Sequence, residues 1–260
     1  MDASPLSRRV RGTMTTFQQA EPFLRHVSAV RSEADLAGAL SAVSRELGFR
    51  HFALTHHVDI RLAAQPAIRL HNYPSDWAEY YDRNRLGISD PVHRASHMTS
   101  VGFAWSQIPS MIALTPCDRE ILMLGEARGI GDGFTIPANV PGEAHGSCSF
   151  ANPKGVPLRT EDLPTAQLVG AFAFEAARRL WRVRTPSPLP RLTDRQRECL
   201  LWVARGKSDW EISRILGIRH ETVVRHLKQA RERYGVSKRT MLAVHALFDG
   251  SISFTDVLKR

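Results

Sequence analysis

The chain has 260 residues, of which 43% are hydrophobic and 23% are charged, and its formal net charge at pH 7 is +9. That length allows one or two domains that each bury a core, and no apolar run approaches the roughly 20 residues of a membrane helix. The three cysteines are widely spaced, which argues against a zinc site or a disulfide framework and fits a reducing cytoplasm. They are Cys117, Cys148 and Cys199.

The N-terminal segment carries Arg8, Arg9 and Arg11, but no apolar stretch follows them as it would in a secretory signal. We therefore predict that residues 1–15 form a disordered arm. Met14 stands just before the first helical pattern and is an alternative natural start.

Helical and strand patterns then alternate through the region that we assign as the first domain, residues 16–183. Apolar residues at helical spacing predict helices over 18–30, 36–47, 74–84, 89–98, 115–128 and 160–182. Alternating or β-branched runs predict strands over 49–57, 67–71, 101–105, 133–138 and 146–152. Helices covering both faces of a central sheet account for this order, so we predict an α/β/α sandwich.

A proline-rich stretch follows. Three prolines within residues 185–190 cannot continue a helix, so we predict an extended linker over residues 184–191. Residues 192–260 show only helical patterns, which we interpret as four short helices, and the fold class of the whole chain is therefore α+β. The second of these helices is predicted to bury one apolar face formed by Ile212, Ile215 and Leu216.

The positive charge is concentrated in the last quarter of the chain. Residues 188–260 contain 15 Lys and Arg against 8 Asp and Glu, a balance of +7, whereas residues 1–187 contain 20 against 18, a balance of +2. Such a distribution favours a polyanionic partner, with nucleic acid first, although a basic surface also serves solubility.

The third C-terminal helix has one apolar side and one basic side. Its apolar residues recur at helical spacing and are Val223, Leu227, Ala230 and Tyr234. A helix with a packed back and a basic, hydrogen-bonding front fits the major groove of DNA. Three flanking residues are placed to reach phosphates: Thr222, His226 and Arg231. The other predicted DNA contacts are Val224, Arg225 and Lys228.

This region closely resembles the helix-turn-helix DNA-binding domain of LuxR-type regulators. The resemblance rests on Leu-Thr-x-Arg-x-x-Glu-Cys-Leu-Leu-Trp-x-Ala-x-Gly-Lys-Ser from Leu192, Glu-Ile-Ser-x-Ile-Leu-Gly-Ile from Glu211 and Thr-Val-x-x-His-Leu from Thr222. Gln196 stands where the family usually has an acidic residue of its activation-related surface. Val224 stands where the family usually has Lys or Arg, which implies a changed base preference, because valine can only contact a thymine methyl or pack against backbone.

The densest aromatic cluster of the first domain surrounds a predicted helix. Tyr73, Trp77 and Tyr81 recur every four residues and therefore form one stripe. Such a stripe is most often part of a core, but these three side chains carry polar groups, and Asp90 lies nearby in sequence. A buried carboxyl group must be hydrogen-bonded, and a ligand amide would supply a donor.

The spacing Tyr-Pro-x-x-Trp-x-x-x-Tyr from Tyr73, followed by Asp90-Pro91 and Trp105, resembles the autoinducer-binding domain of LuxR-type quorum-sensing receptors. Those receptors bind N-acyl-homoserine lactones. The resemblance extends over residues 20–180 and is strong only within the motif.

The resemblance implies a role for each matching residue. Trp77 would donate its indole N–H to the lactone carbonyl, and Asp90 would accept the amide N–H. Tyr73 would bond the acyl carbonyl, with Ser149 near the same oxygen. The walls around the ring and the head of the acyl chain would be Tyr81 and Trp105.

The acyl chain itself is less well determined. Ala78 and Val92 are apolar at two places where some relatives carry polar side chains toward the third acyl position, so we predict poor readout of a 3-oxo group. Straight, branched and aryl chains all remain open. Further candidates for an apolar tunnel are Phe52, Phe103, Ile108 and Phe134.

Together the two resemblances imply a ligand-controlled, sequence-specific transcription regulator that senses an N-acyl-homoserine lactone in the bacterial cytoplasm. A homodimer would bind a pseudo-palindromic promoter site in double-stranded DNA, and RNA polymerase is an additional candidate partner. We predict no enzyme activity, cofactor, metal or membrane partner. Predicted dimer contacts lie on the last helix, residues 241–248, and on the long helix through Phe172, Phe174, Leu180 and Trp181.

Three alternatives remain at this stage. The first is a LuxR-type regulator that responds to a different small molecule. The second is a two-component response regulator, but the strand over 49–57 leads into His56-His57-Val58-Asp59 without an acidic pair. The third is a lactone-acting enzyme, for which no nucleophile is signalled, and His93 and His97 supply only two potential metal ligands.

Overall fold

The computed structural model describes residues 15–58, 67–184 and 190–259. Nearly all of the predicted N-terminal arm and most of the predicted linker lie outside the described residues. The chain divides into two compact units, one containing residues up to 139 and 144–185, the other containing residues 140–143 and those from 186 onward.

The first unit is built on a five-stranded sheet with the order β2-β1-β5-β4-β3, in which all neighbours are antiparallel. The strands are β1 (His51–His56), β2 (Arg69–His71), β3 (Phe103–Ala104), β4 (Asp132–Ala138) and β5 (Gly146–Asn152). The predicted strand over 101–105 is shorter than expected, because the chain turns into a 3-10 helix at Trp105.

Seven helices cover this sheet in the described part of the unit. The helices α1 (Thr16–Ala29), α2 (Glu33–Glu46) and α7 (Leu163–Arg184) enclose the main core against one face. The other face carries α3 (Ser75–Arg83), α4 (Pro91–Ser96), α5 (Ile108–Met111) and α6 (Pro116–Ala127). The predicted α/β/α sandwich is therefore confirmed, with the small difference that Pro74 caps α3 instead of opening it.

Strand alternation separates the two faces. Large apolar side chains such as Phe52, Leu54 and Phe150 point into the main core, while their neighbours Ala53 and Ser149 line a cavity on the other side. The sheet is therefore apolar toward α7 and small and polar toward α3, which leaves room for a ligand on the second face.

Helix α7 contributes more to this core than the sequence indicated. Phe174 and Trp181 are buried in it, and the Trp181 indole donates to the carbonyl of Ala67 at 3.1 Å. The prediction that these two residues form dimer contacts is wrong, because they are enclosed within one chain. Leu180 packs partly against the same core, and Phe172 is 49% exposed.

The second unit is helical and has its own core. Its described part contains five helices instead of the predicted four: α8 (Asp194–Ala204), α9 (Asp209–Leu216), α10 (His220–Tyr234), α11 (Arg239–Phe248) and α12 (Phe254–Leu258). The short α12 begins where the Ser253 side chain accepts a hydrogen bond from the Asp256 N–H at 3.0 Å.

Capping residues fix the starts of α8 and α9. The predicted capping box of Thr193 and Gln196 is present, and a second box joins Ser208 and Glu211. In the second box the backbone N–H and hydroxyl of Ser208 both donate to the Glu211 carboxylate. These hydrogen bonds lower the pKa of Glu211 to about 2.

The predicted apolar face of α9 is partly wrong. Ile212 is fully buried and Leu216 packs against the core, but Ile215 is 43% exposed. The packed side is centred between Ile212 and the buried Ser213, so Ile215 falls outside it.

Two exclusions made from composition can be compared with the structure. No helix within the three described ranges is long and apolar enough to span a bilayer. All three cysteines are free thiols. Burial raises the pKa of Cys199 to about 11 and raises that of Cys148, so both buried thiols stay protonated and unreactive at neutral pH.

Candidate functional site

A cavity of about 90 Å³ lies between the sheet and the helices α3, α4 and α6. That is several times the ~10–15 Å³ that one water molecule needs, so a larger molecule fits. All six predicted ligand contacts line it, namely Tyr73, Trp77, Tyr81, Asp90, Trp105 and Ser149. Ala78 and Val92, the two residues predicted to face the acyl chain, line it as well.

Asp90 is the polar centre of this cavity. It is the N-cap of α4, where its Oδ1 accepts from the Val92 N–H at 2.8 Å. The Tyr81 hydroxyl donates to its Oδ2 at 2.8 Å. A carboxylate offers about four acceptor positions, so this group can accept a further hydrogen bond from a ligand.

Two donors beside Asp90 have no partner within the described chain. The indole N–H of Trp77 and the hydroxyl of Tyr73 make no hydrogen bond to another described residue, although Trp77 is only 5% exposed. Burial, and then the nearby Asp90, raise the pKa of both Tyr73 and Tyr81, so both phenols keep their protons. Both donors are therefore available to an oxygen atom of a ligand in the cavity.

Trp105 has a different function from Trp77, because its N–H is already used. Its indole donates to the Thr135 hydroxyl at 2.8 Å, and Thr135 lies 2.8 Å from the Ser149 hydroxyl. A side chain at Gly133 would come within 2.8 Å of the Trp105 ring, so the missing Cβ lets the indole pack closely against β4. The sequence did not predict that Thr135 belongs to this site, because its position depends on the strand register that places it opposite Ser149.

The four predicted tunnel residues do not line the cavity. Phe52 and Phe134 belong to the main core on the opposite face of the sheet: Phe52 alternates with the cavity-lining Ala53, and Phe134 is the direct partner of the core residue Phe150. Phe103 and Ile108 pack in a small cluster with Ala95. The remaining walls are formed instead by residues including Thr55, Arg69, His71, Ile121, Leu122 and Ile130.

A histidine cluster adjoins the cavity, and the sequence analysis missed it because its members come from separate segments. His93 lines the cavity and stacks on His57 with ring centroids 3.8 Å apart. His57 Nδ1 lies 3.0 Å from His97 Nε2, and the His97 ring lies 4.3 Å from that of His145. Burial lowers the pKa of His57 well below 6.5, and His93, His97, His145 and His56 lower it further.

The second candidate site is the outer face of α10. Its inner face buries Val223, Leu227 and Ala230, as predicted. Val224 is 39% exposed, and Arg225 and Lys228 are exposed beside it.

The three residues predicted to reach phosphates are less exposed, or already hydrogen-bonded, compared with those on the outer face of α10. Thr222 and His226 are half-buried, and Arg231 donates to the Ser237 carbonyl at 3.0 Å. Gln196 is 2% exposed, and its Nε2 donates to Gln229 of α10 at 3.2 Å. Its place is therefore inside the domain, where it positions α10, and not on an activating surface.

Comparisons with known proteins identify the family of each domain. The family description "Autoinducer binding domain" matches residues 32–179, and "Bacterial regulatory proteins, luxR family" matches residues 190–246. The chain belongs to the LuxR family. It is a transcription regulator with a small-molecule-binding domain and a helix-turn-helix DNA-binding domain, and it is not an enzyme.

Individual relatives of this LuxR-family regulator cover most of its length. The transcriptional activator BjaR1 of Bradyrhizobium diazoefficiens is 29% identical over 225 residues, 86% of this chain and 91% of BjaR1. RpaR of Rhodopseudomonas palustris, a quorum sensing-dependent transcriptional regulator, is 33% identical over 195 residues, 74% of this chain and 78% of RpaR. The crystal structure of Escherichia coli SdiA shares the fold, with a TM-score of 0.68 and 21% identity over 92% of this chain and all of SdiA.

We expect the histidine cluster to make the stability of the first domain depend on pH. The pKa of His57 is lower in the folded chain than the usual 6.5. Above pH 6.5 the His57 ring is therefore neutral in both the folded and the unfolded chain, and its protonation costs the folded chain no stability. Below pH 6.5 the unfolded chain takes up a proton that the folded chain excludes. We expect the free energy of unfolding to fall with decreasing pH, by at most ~1.4 kcal/mol per pH unit for this one proton.

Urea unfolding of the wild type and of His57→Gln, measured at several pH values below 7, checks this expectation. The wild type should lose stability more steeply than the variant as the pH falls. Equal slopes for the two proteins would show that His57 does not carry the effect.

Proposed function

We propose that the cavity binds an N-acyl-homoserine lactone and that this ligand controls DNA binding in quorum sensing. The observation that carries the proposal is the match of donors and acceptors around the cavity. Trp77 and Tyr73 offer two unpaired donors, and Asp90 offers an acceptor. The head of such a lactone offers the complement, two carbonyl oxygens and one amide N–H.

In this arrangement each hydrogen bond to the ligand uses a donor or acceptor position that has no partner within the described chain. Trp77 donates to the lactone carbonyl and Tyr73 to the acyl carbonyl, with the Ser149 hydroxyl beside it. Asp90 accepts the amide N–H. Tyr81 holds Asp90, and Trp105, whose N–H is bonded to Thr135, serves as an apolar wall.

The known relatives support the ligand class to different degrees. RpaR is described as quorum sensing-dependent, and SdiA has been solved in complex with octanoyl-rac-glycerol. Octanoylglycerol has an acyl chain and two hydroxyl groups but no amide N–H, so it tests whether the amide itself is needed for binding. It is therefore the most informative competitor for the lactone.

We further propose that the regulator acts in the bacterial cytoplasm as a homodimer on a pseudo-palindromic promoter site. A dimer would place two copies of α10 in successive major grooves of a two-fold symmetric site. Exposed apolar residues of each chain offer contact surfaces for such a dimer: Phe172 on α7, and Met241, Val244 and Phe248 on α11. RNA polymerase is a further partner in this scheme. In this scheme the ligand-binding domain spans residues 16–183 and the DNA-binding domain spans residues 192–260.

Ligand binding to the folded state should raise the melting temperature of the protein. A ligand at 100 times its Kd stabilises by about 2.7 kcal/mol, so we expect a clear upward shift with at least one member of a lactone panel. Trp77→Phe keeps an aromatic ring but loses the N–H, and it should weaken binding about tenfold. Trp210→Phe, at a residue 64% exposed in the DNA-binding domain, is the control and should bind as the wild type does.

Thermal melts and calorimetric titration measure both effects. If no lactone shifts the melt, or if only octanoylglycerol does, the ligand class proposed here is wrong.

The outer face of α10 should determine the base preference. Loss of a base contact through Arg225→Ala should cost about 1–3 kcal/mol and relax the preference at one position of each half-site. Val224→Ala removes methyl groups only, so it should weaken a preference for thymine at another position. Arg25→Ala, at an exposed residue of α1, is the control.

Binding-site selection from random DNA, followed by titration of the selected duplexes, measures these preferences. Identical selected sites for the wild type and both α10 variants would remove this helix from base recognition.

A further inference from the structure

The floor of the cavity is a row of cross-strand neighbours that leads away from the proposed carbonyl site. Ser149, Ala53 and His71 are direct partners on β5, β1 and β2, they share one face of the sheet, and all three line the cavity. Neighbouring strands lie ~4.8 Å apart, so His71 is about 10 Å from the Ser149 position along the sheet. An acyl chain that starts near Ser149 can run along this row toward β2.

This end of the cavity is polar. Arg69 lies two residues before His71 on the same face, and both line the cavity. The Arg69 guanidinium forms an ion pair with Asp82 of α3, and its Nη2 lies 3.4 Å from Nε2 of His71. An alkyl chain would find no hydrogen-bonding use for these groups.

The contact with Arg69 determines which nitrogen of His71 carries the proton. Burial, followed by the charge of Arg69, lowers the pKa of His71 below 6.5, so the ring is neutral at pH 7. Because guanidinium can only donate, Nε2 must be the acceptor, and the ring proton lies on Nδ1. Nδ1 is buried and has no hydrogen-bond partner in the described part of the chain.

An unpaired buried donor destabilises the folded chain, and a hydrogen bond to a ligand acceptor would remove that cost. Asp82 balances the charge of Arg69, so the acceptor that fits best is a neutral oxygen and not a carboxylate.

We propose that the acyl group of the ligand carries a neutral oxygen beyond its acyl carbonyl, a hydroxyl or a carbonyl, which accepts the Nδ1–H hydrogen bond of His71. His71 then determines specificity, and Arg69 with Asp82 is a positioning pair that fixes its tautomer. This inference rests on the proposed function, because that function places the acyl carbonyl near Ser149. The oxygen lies nearer the far end of the acyl chain than its third carbon.

Matched pairs of homoserine lactones test the inference. Each pair has acyl chains of the same length, one ending in a methyl group and the other in a hydroxyl group, over short, medium and long chains. Calorimetric titration of the full-length wild type should show the hydroxyl member binding about tenfold more tightly at one or more lengths. A carboxyl-terminated chain of the same length should bind more weakly than the hydroxyl chain.

Two variants at one position connect the preference to His71. His71→Phe keeps a planar ring without a donor, so both members of each pair should bind equally. His71→Asn places an amide N–H close to the Nδ1 position and should retain the preference. Thermal melting of each variant without ligand, compared with the wild type, measures whether the variant folds.

The outcomes separate this inference from the function on which it rests. If no lactone binds, both the proposed function and the inference are wrong. If lactones bind but the methyl and hydroxyl chains have equal affinity at every length, the function stands and the inference is wrong. A preference for the carboxyl chain, or one that persists in His71→Phe, also overturns it.

Discussion

The buried carboxyl group of Asp90 is the constraint on which the sensor site depends. It is 9% exposed, and a carboxyl group removed from water must be hydrogen-bonded on every side. The Val92 N–H meets one oxygen at the start of α4, and the Tyr81 hydroxyl of α3 meets the other. These bonds join two helices to one acidic group, and the same helix α3 presents Trp77 to the cavity. In the proposed scheme a ligand amide completes the set, which would couple ligand binding to the arrangement of α3 and α4.

The sheet supplies the other half of this coupling. Its α7 face is a close-packed apolar core, whereas its α3 face carries small and polar side chains beneath a cavity. A molecule that fills the cavity adds contacts only in the folded state, so it stabilises the sensor by mass action. The DNA-binding domain has a separate core and its own helix caps. In the proposed scheme the ligand therefore acts on DNA binding through the folding and pairing of the sensor.

Local periodicity explains what the sequence predicts well. The aromatic stripe of Tyr73, Trp77 and Tyr81 and the apolar side of α10 depend on residues within a few turns, and the structure places both as expected. Features that depend on strand register or on distant segments were missed, as with Thr135 and the histidine cluster. Phe52 was assigned to the wrong face of the sheet, since one residue of register decides between core and cavity.

The hydrogen bond between Asp90 and the ligand amide can be measured by changing one atom of the ligand. A lactone whose amide N–H is replaced by an ester oxygen keeps both carbonyl groups and the acyl chain. The account predicts that the wild type binds the amide at least about tenfold more tightly than the ester, and that this gap persists in Trp77→Phe and disappears in Asp90→Ala. Equal affinity of the wild type for the amide and the ester would contradict the central role of Asp90.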